Sequence, residues 1–166
     1  RSLMPEYQKA SPAGQVPVLR DGDFILSESL AIGDYIAEKF KPELVGRDVQ
    51  EKALVWQWSL WAAFNAQKYL GEIAMQKWRQ TNDMQAIQTA TENLDKILHI
   101  LDNKLNNQDF VVGNVFTLAD INIAAAFTYA DFGGYDYSKF ANIKRWFDAL
   151  KERPGYKTAM SQEQNQ

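Results

Sequence analysis

A mainly helical protein with a small α/β lobe at its N-terminal side is the fold class this sequence predicts. Val18-Leu19 and Phe24-Ile25-Leu26 are short apolar runs flanking Asp21-Gly22, a strong hairpin signal. From about Val49 onward, apolar residues recur at helical spacing in one segment after another, which gives a bundle of at least four helices. The composition agrees: 166 residues with 46% hydrophobic and 13% aromatic side chains can bury one core, or one core plus a smaller lobe.

Taken in order, residues 1 to 13 mix proline, charge and small polar side chains, with a short helical turn over Pro5-Glu6-Tyr7-Gln8-Lys9, where Pro5 suits a helix start. Val16-Pro17 opens the first strand, a place where proline is tolerated because no ladder hydrogen bond is asked of its nitrogen. The chain then enters a helix near Ser27-Glu28-Ser29. Ile32, Tyr35, Ile36 and Phe40 repeat at helical spacing, so about three turns are expected to lie on the hairpin until Lys41-Pro42-Glu43 stops them. The periodicity lapses over 42–48, which is read as the linker between an N-terminal lobe, 1–41, and a helical domain, 49–166.

Val49 to Gln80 is helical and rich in aromatics, with Ala53, Trp56, Leu60 and Phe64 as its stripe and Trp58, Trp61 and Tyr69 nearby. After Thr81-Asn82-Asp83, Ile87, Thr91, Leu94, Ile97, Leu98, Leu101 and Leu105 mark an amphipathic helix closed by Asn106-Asn107. Phe116-Thr117-Leu118-Ala119-Asp120-Ile121 announces the next helix. Thr117 is its N-cap, Asp120 the reciprocal partner three residues on, and Phe116 with Ile121 the hydrophobic staple. The run from Ile121 to Phe127 is nearly all apolar or small, so this helix is expected to be buried on most sides and to end at Gly133-Gly134. A last helix carries Phe140, Ile143, Trp146, Phe147 and Leu150 and stops at Arg153-Pro154-Gly155, before a polar, frayed tail from Ser161.

Several function classes are set aside by composition. A net charge of −3 offers no basic field for nucleic acid or an anionic membrane. No apolar run approaches the roughly 20 residues of a membrane span. There is no cysteine, hence no disulfide, thiolate metal ligand or thiol nucleophile, in keeping with a cytoplasmic protein. The single histidine, His99, has no second metal ligand at suitable spacing, so no metal site is expected.

The chemistry is concentrated at Ser27-Glu28-Ser29. Hydroxyls, free N–H groups and the positive end of a helix dipole meet there, an arrangement that takes a carboxylate, while Glu28 can accept from an ammonium. A ligand with both an α-carboxylate and an α-ammonium suits it. The competing reading is helix capping alone, since Ser and Glu at a helix start need no ligand. A cis bond at Val16-Pro17 would turn the Val16 backbone sideways as a docking edge. Thr117 and Asp120 are read as structural capping residues and not as catalytic ones. Trp58, Trp61, Phe64 and Tyr69 fit either a pocket for an apolar substrate or ordinary bundle core. Lys9 and Arg1 could meet a second carboxylate, although solvated surface lysine and arginine is the simpler reading.

Ser11-Pro12-Ala13-Gly14-Gln15-Val16-Pro17-Val18-Leu19 with Asp21-Gly22, Leu26-Ser27-Glu28-Ser29-Leu30-Ala31-Ile32 with Tyr35-Ile36, and Val112-Gly113 with Thr117-Leu118-Ala119-Asp120 together resemble the glutathione transferase superfamily, cytosolic type. Asn142-Ile143-Lys144-Arg145-Trp146 and Arg153-Pro154-Gly155-Tyr156 are similar to it as well, in the same order over essentially the whole chain. The resemblance implies the C-terminal part of a thioredoxin-like domain, hairpin plus helix, followed by the all-α domain of that family. It implies a homodimer, glutathione as substrate with no metal, a small hydrophobic electrophile or a peroxide as second substrate, and a role in detoxification. By the same resemblance Val16 pairs its backbone with the cysteinyl part of glutathione, Pro17 is cis, Glu28 and Ser29 hold the γ-glutamyl ammonium and carboxylate, and Gln15, by its side chain or the neighbouring backbone, lies near the glycyl end, the competing reading being that it faces solvent.

Two departures qualify it. Ser11 stands where asparagine is more usual. Family members also begin with a β-α-β unit before the equivalent of Pro5, and the residue that activates the glutathione sulfur follows its first strand. No catalytic residue is therefore assigned in this chain; its expected place is upstream of Arg1, and the sequence is read as a fragment in preference to a product that lacks the unit and does not catalyse. The alternative function, from another class, is a non-catalytic interaction or regulatory module that keeps the fold without the reaction. A free-standing helical bundle with an incidental hairpin is the third reading.

Overall fold

The structure is a computed structural model that describes residues 5–11 and 14–163, with side chains for 7–11 and 14–161. Arg1, Pro12 and Ala13 of the N-terminal motif, and the tail beyond Glu163, lie outside the described residues.

Helix α1 spans Pro5–Ala10, strand β1 Val18–Asp21 and strand β2 Phe24–Ser27. The strands pair antiparallel with Val18 opposite Ser27 and Asp21 opposite Phe24, so the two loop residues are Gly22-Asp23. Gly22 has φ +62° there, the first central position of a II′-type hairpin turn, where glycine adopts positive φ without steric cost. Helix α2, Ser29–Phe40, is fastened to the hairpin by the Tyr35 hydroxyl, which donates to the Asp21 carboxylate at 2.7 Å, and by an ion pair from Lys39 to the same group. Those two hydrogen bonds, Lys39 first, hold the Asp21 carboxyl below its ordinary value.

The expected apolar stripe of α2 is only partly buried. Ile36 and Phe40 are exposed, and the buried residue is Ala37. Helix α2 also packs on the helix that begins at Leu118, where a β-carbon at Gly33 would stand 3.4 Å from the Leu118 side chain, an ordinary contact distance.

The segment read as a linker, 42–48, contains a 3₁₀ turn at Pro42–Val45 with Val45 buried. Asp48 then caps α3, Val49–Trp61, by accepting from the Glu51 N–H at 2.8 Å. Between them Gly46 sits at φ +102°, and a β-carbon there would meet the Lys52 nitrogen at 2.7 Å and the Glu51 carbonyl carbon at 2.8 Å, both backbone atoms. Gly46→Ala is thus expected to destabilise the fold by about 3 kcal/mol, combining positive-φ strain with overpacking against the first turn of α3. Urea unfolding monitored by tryptophan fluorescence checks it; a loss below about 0.5 kcal/mol, the range of an ordinary surface substitution, would contradict it.

The long helical segment after Val49 is divided. A π-helical turn, Ala62–Ala66, joins α3 to α4, Gln67–Arg79. The predicted stripe is also rotated: Trp56, Leu60 and Phe64 are exposed, Phe64 at 72%, while Val55, Trp58, Ser59, Ala62, Ala66 and Leu70 face the core. Large apolar residues point to the wrong face because the true seam is built for close helix approach. The Asn122 amide, on the helix that begins at Leu118, donates to the Ser59 hydroxyl at 2.8 Å, and a β-carbon at Gly133 of the same helix would stand 3.1 Å from the Ala74 nitrogen.

Helix α5, Met84–Lys104, starts at Asp83, which accepts from Gln85 and Ala86, and buries Leu94, Leu98 and Leu101 along the predicted stripe. Helix α6, Leu118–Gly133, is buried along most of its length and ends at Gly134 in the left-handed region. At its head Thr117 and Asp120 form a capping box. Asp120, fully buried, also accepts from the Val111 N–H and from the Trp146 indole N–H, each at 3.0 Å. Burial pushes its carboxyl above the ordinary value against the pull of those donors.

Helix α7, Ala141–Lys151, together with Phe140 just before it, packs Ile143, Trp146, Phe147 and Leu150 into the core. Its N-terminus is capped from another helix, because Asp102 of α5 accepts from the N–H groups of Asn142 at 2.9 Å and Ile143 at 3.1 Å. Arg145 returns the contact by donating to the carbonyls of Leu105 and Gln108 at the end of α5. A further helix, α8, Pro154–Glu163, follows the stop expected at Arg153-Pro154-Gly155; Pro154 begins this helix as well as ending the previous one.

Candidate functional site

The loop between α1 and β1 is held by its own side chains. Ser11 is 2% exposed, and its hydroxyl both accepts from the Gln15 N–H at 3.0 Å and lies 2.9 Å from the Gln15 carbonyl oxygen. The Tyr7 hydroxyl of α1 donates to the same carbonyl at 2.5 Å. Gly14, at φ +67°, makes the bend between them and donates to the Ser11 carbonyl.

The chain emerges from this bend at Val16-Pro17, whose peptide bond is cis. Among the described residues the Val16 N–H and C=O have no hydrogen-bond partner, and its side chain is 80% exposed. Val16 therefore presents a short free backbone edge just ahead of β1.

On the facing side stands the start of α2. Glu28 occupies the N-cap position, but with φ +74° and ψ +117° and without a side-chain bond to the helix. Capping, the alternative reading of Ser27-Glu28-Ser29, is thus not what the Glu28 side chain does. A glutamate at positive φ is strained by roughly 1–3 kcal/mol, and such residues cluster where a backbone must aim a group at a ligand. The Ser29 hydroxyl and the Glu28 carboxylate have no hydrogen-bond partner among the described residues, and the first N–H groups of α2 point out of the helix end beside them.

Gln15, Val16, Pro17, Glu28 and Ser29, together with Ser11 and Ser27, line one cleft of about 100 Å³. The arrangement can take a carboxylate at Ser29 and the helix N-terminus, an ammonium at Glu28, and an extended backbone along Val16.

The other candidates disperse. Trp58 is buried against the edge of Trp61 with ring centroids 5.4 Å apart, Phe64 is exposed, and Tyr69 lines a separate cavity with Lys68, Glu72 and Asp83. They do not converge on a single pocket. Lys9 is exposed, and His99 stands edge-on to Phe140 on the outside of α5. Among the described residues no three His, Cys, Asp or Glu side chains come together as a metal site would require.

Sequence reasoning misses Ser11 in the cleft and Tyr7, which supports the cleft from α1. Ser11 reads only as a departure in a turn, and Tyr7 carries no signal, because its partner is a backbone carbonyl eight residues away whose position depends on the Gly14 bend. The positive φ of Glu28 has no sequence signature either, glutamate being a poor residue for that region.

A model of the glutathione S-transferase N-terminal domain matches residues 1–44, and one of the glutathione S-transferase C-terminal domain matches residues 61–154. The chain is 33% identical to glutathione S-transferase D7 of Drosophila melanogaster over 162 residues, covering 93% of this chain and 70% of that protein. Among solved structures, poplar glutathione transferase F1 is 28% identical and superposes with a TM-score of 0.87, covering 98% of this chain and 80% of that one. Maize glutathione S-transferase I, solved in complex with an atrazine glutathione conjugate, is 30% identical with a TM-score of 0.84, covering 93% and 76% respectively.

Proposed function

This chain belongs to the glutathione S-transferase family, and from that premise we propose that its cleft binds glutathione for transfer to a small hydrophobic electrophile, or for reduction of a peroxide. One observation carries the proposal: the five residues that the family resemblance assigns to glutathione line the same cleft, with the Glu28 carboxylate and the Ser29 hydroxyl unpaired among the described residues.

In this reading Ser29 and the first N–H groups of α2 receive the γ-glutamyl carboxylate, and Glu28 receives its ammonium. The Val16 backbone pairs with the cysteinyl residue. The Gln15 side chain faces the glycyl end, since both Gln15 backbone groups are already engaged by Ser11 and Tyr7. The free thiol has a pKa near 8.5, so a donor that stabilises the thiolate raises the nucleophile's population at neutral pH. None of the five residues is assigned that task. They bind and orient, and the thiolate attacks an electrophile held by the helical domain.

The proposal keeps the division into a glutathione-holding lobe, 1–41, a linker, 42–48, and a helical domain, 49–166, in a cytoplasmic detoxification enzyme. Among the described residues no helix is long and apolar enough to cross a membrane. It also includes a homodimer. The exposed face of Trp56, Leu60 and Phe64 supports this, being an apolar stripe at helical spacing that the single chain leaves uncovered. Light scattering is expected to give the mass of two protomers, and Leu60→Glu to return it toward one.

The direct test is calorimetric titration of the protein with glutathione, followed by conjugation of 1-chloro-2,4-dinitrobenzene. Binding with turnover is expected. Binding without turnover would favour the non-catalytic module, and no binding would overturn the assignment of the cleft.

A further inference from the structure

Gln15 is the residue before the free backbone edge at Val16, and both of its main-chain polar groups are consumed by side chains from outside the edge. Its N–H donates to the Ser11 hydroxyl at 3.0 Å, while its carbonyl receives the Tyr7 hydroxyl at 2.5 Å and lies 2.9 Å from the Ser11 hydroxyl. A hydroxyl can accept one hydrogen bond and donate another, and a carbonyl oxygen has two lone pairs, so this three-residue set is satisfied without water or ligand. Ser11 is buried and itself lines the cleft; Tyr7 is half-buried on α1, which is tied to the loop through the Ser11 N–H donating to the Tyr7 carbonyl at 2.7 Å.

Beyond the Gly14 N–H, which donates to the Ser11 carbonyl at 2.9 Å, no other hydrogen bond among the described residues holds the segment. Val16 is without hydrogen-bond partners there, and Pro17 has no N–H to give. Pairing between strands begins only at Val18. The geometry points to Tyr7 and Ser11 as positioning residues: they lock Gln15 and so hold the Val16 edge in the orientation that a bound peptide needs, before any peptide arrives. Such preorganisation acts on affinity by removing the ordering cost that a loose loop would incur on binding. The consequence for the ligand rests on the glutathione reading of the cleft, whereas the locking itself does not.

The experiment uses the full chain in four forms: wild type, Tyr7→Phe, Ser11→Ala and Ser11→Thr, the last retaining the hydroxyl. Backbone amide hydrogen exchange is followed at Gln15, whose N–H is the bonded one, and, as a control, in α5 and α6. Glutathione affinity is measured on the same samples. Tyr7→Phe and Ser11→Ala are each expected to speed exchange at Gln15, to leave α5 and α6 unchanged, and to weaken glutathione binding by about three- to tenfold, the range for one net hydrogen bond. Ser11→Thr is expected to restore both readouts. Unchanged exchange at Gln15 overturns the proposal, as does faster exchange with unaltered affinity. If the wild type does not bind glutathione while the variants still loosen Gln15, the ligand reading falls and the locking role stands.

Discussion

Asp120→Ala is expected to lower the stability of the protein by about 4–5 kcal/mol, estimated from three donors each costing about 1–3 kcal/mol when left buried and unpaired. Those donors are the N–H groups of Val111 and Thr117 and the indole N–H of Trp146, all at 3.0 Å from the carboxylate. They belong to three different segments: the loop before α6, the cap of α6, and the middle of α7. The loss of one side chain therefore loosens a junction as well as a helix end. Against a total stability of about 5–15 kcal/mol, the alanine variant stands near the limit of folding.

Asp120→Asn separates the contributions. Its carbonyl oxygen can still accept from Val111 and Trp146, while its amide opposes the Thr117 N–H, so roughly half the loss is expected. The pH dependence has a definite sign. Burial raises the Asp120 carboxyl in the folded protein, which therefore keeps this proton to higher pH than the unfolded chain does. The stabilising contribution of protonation is complete below the unfolded value and is lost as pH rises through the folded one. The deficit of Asp120→Asn relative to wild type should accordingly shrink as pH rises through that interval. Equilibrium unfolding of wild type and the asparagine variant over the acid range up to neutrality measures this, and a deficit that grows with pH would refute it.

Ser29→Ala is expected to weaken glutathione binding by about thirtyfold, corresponding to about 2 kcal/mol for a hydrogen bond to a charged carboxylate. The same change should leave the melting temperature nearly untouched. Ser29 is exposed at the first position of α2, and its hydroxyl bonds to nothing else among the described residues. Surface substitutions free of such contacts fall within about 0.5 kcal/mol of neutral. Glu28→Gln is expected to act in parallel by removing the anionic acceptor for the ammonium, with the carboxylate end of the ligand still held. The two effects should combine less than additively, because both residues grip one amino-acid moiety. Titration calorimetry beside a thermal melt measures affinity and stability on the same samples. Loss of affinity together with an equal loss of stability would mean that Ser29 serves the fold and not the ligand.

The hairpin, the core stripe of α5 and the capping box at Thr117 and Asp120 can all be read from local residue order, whereas the π-helical break between α3 and α4 and the extra helix α8 cannot. Each of the first three rests on interactions within a few residues or on one helix face. The stripe on α3 escapes such a reading for a physical reason. Trp56, Leu60 and Phe64 are large and apolar, as Trp58 on the buried face is, but the face that meets α6 is chosen by how near two backbones can come, and Ser59, Ala62 and Ala66 permit it. The same reversal places Ala37 inside and Phe40 outside on α2.

The cleft divides along the same line. Its chemistry, a hydroxyl and a carboxylate at a helix start beside a Val-Pro edge, is written in the sequence, because functional groups are properties of residue types. What the order of residues could not supply is aim. The positive φ of Glu28, the hold of Tyr7 and Ser11 on Gln15, and the union of Val111, Thr117 and Trp146 on Asp120 each depend on the folded backbone, which brings the bonded groups within 3.3 Å of one another. Sequence thus determined most of the elements and the chemistry they carry, though neither the π-helical break between α3 and α4 nor α8. Tertiary structure decided which faces are buried and where the polar groups point, since both follow from distances between segments far apart in the chain.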